Sequence, residues 1–173
     1  MLLPFRLKAF KLAQYKFRYI VLHDTSCMFS GVSQVKIDDN KSQLHSLRDY
    51  NWILNARTEV NYHFVVEKIG NDYESLIGRP LNYLCQYDDI PLIYNERAIH
   101  VCLMGSYSII KPKPRYYQQL VYRVISPLMF HHRITSMNIV THQDISTNEE
   151  LKCPGELFNM DEFRQKVTLM KIR

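Results

Sequence analysis

No run in the sequence approaches the roughly 18 consecutive apolar residues of a membrane-spanning helix, so an integral membrane segment is not expected. The N-terminal stretch "MLLPFRLKAFKLAQYKFRYIVLH" breaks its apolar residues with Arg6, Lys8, Lys11, Lys16 and Arg18 before a signal-peptide core can form, which argues against a cleaved Sec signal. Close cysteine pairs are also missing. Cys27, Cys85, Cys102 and Cys153 lie far apart, which excludes a zinc ribbon or a redox dithiol motif, and four are too few for a disulfide scaffold in 173 residues. Cys85 and Cys102 sit in apolar surroundings and read as buried, inert thiols. The basic residues are scattered, and no zinc-finger, helix-turn-helix or RNP-like pattern occurs, so the net charge of +5 does not by itself indicate nucleic acid as a partner. Internal repeats, low-complexity tracts and linkers are absent.

What is present suffices for one globular domain: 46% hydrophobic and 23% charged residues over 173 positions permit a sizeable core. The basic segment 1–16 reads as part of that domain or appended to it, with 17–173 forming the domain proper. Short runs rich in β-branched and aromatic residues predict strands at 17–23, 60–69, 73–77, 98–104 and 138–142, with "GND" at 70–72 as a hairpin turn. Apolar residues at helical spacing predict helices over 42–54 and 114–130, the second carrying Pro114 in its first turn, and a short final helix near 160–169. Strands alternating with helices predict an α/β fold, a central mixed sheet flanked by helices, with site loops at 24–41 and 78–97.

His23 and His142 each close a hydrophobic strand, in "IVLHDTS" and "IVTHQD". If those strands are neighbours about 4.8 Å apart, the two imidazoles converge. Cys153 would complete a His-His-Cys set with one tetrahedral position open, the arrangement of a catalytic zinc. From these residues alone, a single strand-end histidine is more often a hydrogen-bonded structural residue.

The ordered series "IVLHDTS", "RTEVNYHFVVEKIGND", "GRP", "NERAIHVCLMGSY" and "IVTHQDIS…KCPGELF" resembles the zinc-dependent N-acetylmuramoyl-L-alanine amidases of type 2, a family that includes amidase-type phage lysozymes and peptidoglycan-recognition proteins. The resemblance spans about residues 17 to 165. It implies one Zn2+ held by His23, His142 and Cys153, and hydrolysis of the amide between N-acetylmuramic acid and L-alanine in peptidoglycan or muropeptide fragments, with the ion acting as Lewis acid. It also implies that Tyr62 stabilises the oxyanion. Lys152 is expected to replace a catalytic lysine that some members carry two residues before the third ligand, where this chain has Leu151. Other branches place a glutamate where Cys102 stands, and Asn61 and His100 occupy positions where glycine is usual.

His63 should face away from Tyr62 and be structural. Asp144 is expected to orient His142 or its loop, Ser146 with Glu149 has the spacing of a capping box, and Arg79 and Asn95 either meet substrate or hold loops. The alternative function on the same fold is a non-catalytic peptidoglycan-recognition or protein-interaction module. A monomer is expected, cytoplasmic or reaching the cell wall by a route that needs no Sec signal.

Overall fold

The computed structural model describes residues 16–25, 61–69 and 72–170. The helix expected over 42–54, Cys27, most of the 24–41 loop, the segment 1–15 and the first two residues of the "GND" turn lie outside them. The expected strands are β1 (Tyr19–Asp24), β2 (Phe64–Ile69), β3 (Asp72–Ile77), β4 (Ala98–Leu103) and β5 (Ile139–Thr141). They form one five-stranded sheet in the order β3-β2-β4-β1-β5. Neighbouring strands run parallel except at one edge, where β3 returns antiparallel to β2. This is the mixed α/β sheet that the sequence pattern predicts.

Alternation along β1 and β4 divides the sheet into two chemically different faces. Ile20 and Leu22 of β1 join Ile99, Val101 and Leu103 of β4 in the main core, packed with Tyr117, Leu120, Val121, Val124 and Ile125. Full burial of each such aliphatic side chain stabilises the fold by about 2 kcal/mol relative to exposure. The intervening residues, Val21, His23, His100 and Cys102, point to the other face, where Tyr62, Val65 and Cys102 make a smaller apolar cluster. All six residues of β4 are buried, so both faces of the sheet are covered at its centre.

Helices cover the apolar face. The segment expected as one helix over 114–130 is an α-helix at Pro114–Leu120, a π-helical turn at Val121–Ile125 and a second α-helix at Ser126–His132. Pro127 explains the interruption, because it has no N–H to donate and its ring clashes with the preceding turn of a regular α-helix; the wider turn relieves both. The helix stops where Arg133 adopts a left-handed conformation, φ 57°. A short helix that the periodicity did not predict, Leu92–Arg97, leads directly into β4 and buries none of its side chains. The final helix, Met160–Met170, falls where the pattern places it, with Phe163 and Val167 in the core.

Candidate metal centre

Strand register brings the ligand candidates together. Leu22 of β1 pairs with Thr141 of β5, so the next residues, His23 and His142, leave adjacent parallel strands at the same level. Their ring centroids are 4.7 Å apart. Thr141 then caps the four-residue helix His142–Ile145 through a capping box: its hydroxyl accepts from the Asp144 amide, and the Asp144 carboxylate accepts from the Thr141 amide. The chain turns back until the Gln143 amide donates to the Cys153 carbonyl at 2.9 Å, and Cys153 arrives beside both histidines. One donor atom from each of His23, His142 and Cys153 lies within 4.8 Å of the others, and all three residues are buried.

Gly155 makes that return possible. Its φ of +96° suits only glycine, and a Cβ there would collide with the backbone of Tyr107 and Ser108. The Asp24 amide donates to Cys153 Sγ at 3.4 Å, an interaction that favours the thiolate over the thiol.

The donor set fits zinc: two imidazoles and one sulfur, tetrahedral in number with a position to spare. His142 supplies an independent sign, because its Nδ1 is buried without a hydrogen-bond partner in the protein, a state that buried polar atoms rarely tolerate. A metal ion at the three-donor point would satisfy it.

On the outer side, His142 Nε2 stands 3.0 Å from Oδ2 of Asp89, close in distance though not directed as a hydrogen bond. Burial tends to raise the Asp89 carboxyl, but the Ser146 hydroxyl, which donates to Oδ2 at 2.7 Å, and the adjacent His142 ring outweigh it and draw it below its ordinary value. The Thr147 amide and hydroxyl also donate to the Asp89 carbonyl, so the 141–153 loop is clasped to the 87–90 loop. The acid facing His142 is therefore Asp89. Asp144, expected to orient His142 or its loop, does the second by capping the four-residue helix that begins at His142, and Ser146 holds Asp89 and the Asn148 amide instead of capping a helix with Glu149.

Tyr62 is buried with its ring centroid 5.3 Å from that of His23. It is pinned from both sides: the Arg79 amide donates to the Tyr62 carbonyl at 2.7 Å, and the next amide, His63, donates to the His100 carbonyl at 2.9 Å. His63 faces the other way, as alternation requires. Its Nδ1 accepts from the His100 amide and its Nε2 donates to the Tyr83 carbonyl, both at 2.9 Å. Burial above all holds its pKa down at about 4.

Arg79 and Asn95 resolve as loop holders: Arg79 donates to the Leu84 carbonyl, and the Asn95 amide both donates to and accepts from the backbone of Tyr87. Cys85 and Cys102 are fully buried, as expected. Lys152 lies on the exposed side of the loop, its Nζ 3.7 Å from Glu156.

Two residues of the site were not singled out in the sequence, although both lie in the expected site loop 78–97. Tyr87 lays its ring flat against His23, at 4.8 Å and 14° between planes, and Asp89 reaches His142 from the same loop. The length of the 78–97 connection marks a site loop, but its lack of periodicity does not say which of its residues face the site.

A sheet with helices on its apolar face and two strand-end histidines meeting a loop cysteine on the other defines an α/β domain built around a candidate metal centre. Residues 13–156 match the family model Amidase_2, N-acetylmuramoyl-L-alanine amidase, and the chain belongs to that family. No curated protein sequence matches it. Among solved structures, it is similar to the N-acetylmuramoyl-L-alanine amidase LysC from Clostridium intestinale, with a TM-score of 0.64 and 22% identity over 89% of this chain and 87% of that one. A mutant endolysin from Bacillus subtilis matches at 0.63 and 20% over 95% and 94%. A Drosophila PGRP-LB variant in complex with tracheal cytotoxin matches at 0.62 and 16% over 87% and 82%. At these identities the likeness is one of fold. Among the described residues, no helix is long and apolar enough to cross a membrane.

Proposed function

We propose that this protein is a zinc-dependent amidase that cleaves the bond between N-acetylmuramic acid and L-alanine in peptidoglycan or its muropeptide fragments. The observation that carries the reading is the convergence of His23, His142 and Cys153, buried and within 4.8 Å, in a chain of the amidase family. The similarity to a fold seen with tracheal cytotoxin bound supports a ligand of muropeptide type.

His23, His142 and Cys153 would hold one zinc ion. When bound, the ion supplies Lewis acidity to the scissile carbonyl and to the attacking water. The protein's own groups do the rest. Asp89 stands against the outer nitrogen of His142 and balances positive charge at the centre, while the Asp24 amide supports the Cys153 thiolate. Tyr62, beside His23, donates a hydrogen bond from its hydroxyl to the carbonyl oxygen as that oxygen gains charge in the tetrahedral transition state. The leaving L-alanine nitrogen must gain a proton. Lys152 is the candidate donor in the ligand loop, and it reaches the cleft only by leaving Glu156.

That outward pairing, together with a buried cysteine where other branches use an acid, favours a second reading in which the same centre recognises muropeptides without cutting them. Incubation with an N-acetylmuramoyl peptide and mass spectrometry of the products separates the two. Cleavage gives a peptide with a free L-alanine amino terminus and an intact muramic acid. Binding with no such peptide leaves the recognition module standing.

A further inference from the structure

His100 is fully buried on the same sheet face as His23. Register accounts for the meeting: His23 pairs with Cys102 and Val21 with His100 across β1 and β4, so the two imidazoles are diagonal neighbours within reach of each other. His23 Nε2 and His100 Nδ1 are 2.9 Å apart, and His100 Nε2 lies 3.2 Å from the Tyr94 carbonyl oxygen.

A carbonyl can only accept. His100 Nε2 therefore carries the proton, and in a neutral imidazole Nδ1 is then the acceptor. The hydrogen in the His23–His100 contact must come from His23 Nε2.

We propose that His100 is a positioning residue of the metal centre: by accepting from His23 Nε2–H it fixes the His23 tautomer and ring angle, leaving the Nδ1 lone pair as the metal-binding atom. Tyr87 completes the device. Its ring stacks on both imidazoles, at 14° to His23 and 26° to His100, with centroids 4.8 and 4.9 Å away. Its hydroxyl donates to the Asn61 carbonyl at 2.6 Å, and the Asn61 amide holds Gln86 by accepting from its N–H and donating to its carbonyl. Asn95 fixes the Tyr87 backbone from the other side. The series Tyr94 carbonyl, His100, His23 is thus held under a clamped aromatic ring, with the two imidazole planes 33° apart.

This inference rests on the zinc reading, and its test uses metal binding rather than turnover. In the wild-type protein, long-range 15N–1H NMR reads the His23 tautomer before and after addition of zinc ions, with zinc affinity measured by competition against a chromophoric chelator. The expected result is Nε2–H in both states, with Nδ1 shifted by the metal. His100→Leu, which removes the acceptor, should weaken zinc binding by about 10 to 100-fold. His100→Asn, which returns an acceptor near the Nδ1 position, should recover most of that loss. The assignment is overturned if His23 binds zinc through Nε2, or if folded His100→Leu binds zinc as tightly as wild type. If wild type binds no zinc at all, the centre itself is wrong and this inference falls with it. Because the tautomer is read in wild type, poor folding of a variant does not remove the test.

Discussion

Among single side chains, the three proposed ligands and Tyr62 carry different parts of the chemistry, and kinetics should separate them. Tyr62→Phe keeps the ring beside His23 and removes only the hydroxyl. It should lower kcat by on the order of 10² to 10³, the loss of one oxyanion donor, while leaving KM and zinc content close to wild type. Lys152→Ala should show a smaller effect, under about tenfold by comparison with general-acid losses, because the ammonium already sits in solvent against Glu156. Steady-state turnover of a muropeptide checks both; a Tyr62→Phe enzyme with unchanged kcat removes Tyr62 from the mechanism. His23 and His142 were legible as candidates because each ends a hydrophobic run at the same place, a local pattern. Asp89 and His100 were not. Asp89 meets the 141–153 loop across 57 positions of sequence and His100 meets His23 across 77, contacts that depend on strand register and loop path rather than on neighbours in the chain.

Strands and the long helix were legible because their apolar spacing is set by which face they bury. β1 and β4 are β-branched runs, and the 114–132 helix repeats its apolar residues at helical spacing. The π turn within that helix followed from Pro127, whose effect on the ladder is mechanical, yet the spacing of apolar residues does not reveal it. Leu92–Arg97 escaped because it buries no side chain and so has no periodic face to show. The ligand loop is the element most sensitive to a single change. Gly155→Ala must relax φ from +96° and move off the Tyr107 carbonyl oxygen, which a Cβ would approach to 2.7 Å. We expect a loss of at least about 1 kcal/mol in urea unfolding together with reduced zinc occupancy, since the loop carries Cys153. Normal zinc content in a destabilised variant would show that the turn supports the fold without placing the ligand.

For the whole molecule, buried histidines tie stability to pH. His63 has a folded pKa of about 4 against 6.5 for a free imidazole. Above pH 6.5 both folded and unfolded chains hold it neutral and its contribution is complete. As pH falls from 6.5 to 4 the unfolded chain takes up a proton that the folded one refuses, and up to about 3 kcal/mol of stability is lost. Urea unfolding between pH 7 and 5 should show this decline, and His63→Gln, which retains a donor and an acceptor for Tyr83 and His100, should flatten it. An unchanged slope would place the pH sensitivity in other groups. Zinc works in the opposite direction: at about 1,000 times its Kd a ligand bound only by the folded state adds about 4 kcal/mol. Chelation should therefore lower the thermal midpoint as well as the activity.

We propose that one zinc ion, at His23, His142 and Cys153, makes this chain an amidase. Titrating metal-stripped protein with zinc while following release of stem peptide from a muropeptide substrate decides whether it does. The rate should be negligible without metal, rise in proportion to zinc up to one equivalent per chain and then level off, while Cys153→Ala stays inactive throughout. Peptide release that persists in demonstrably metal-free protein, or no release at any zinc level from a chain that still binds the substrate, would contradict it.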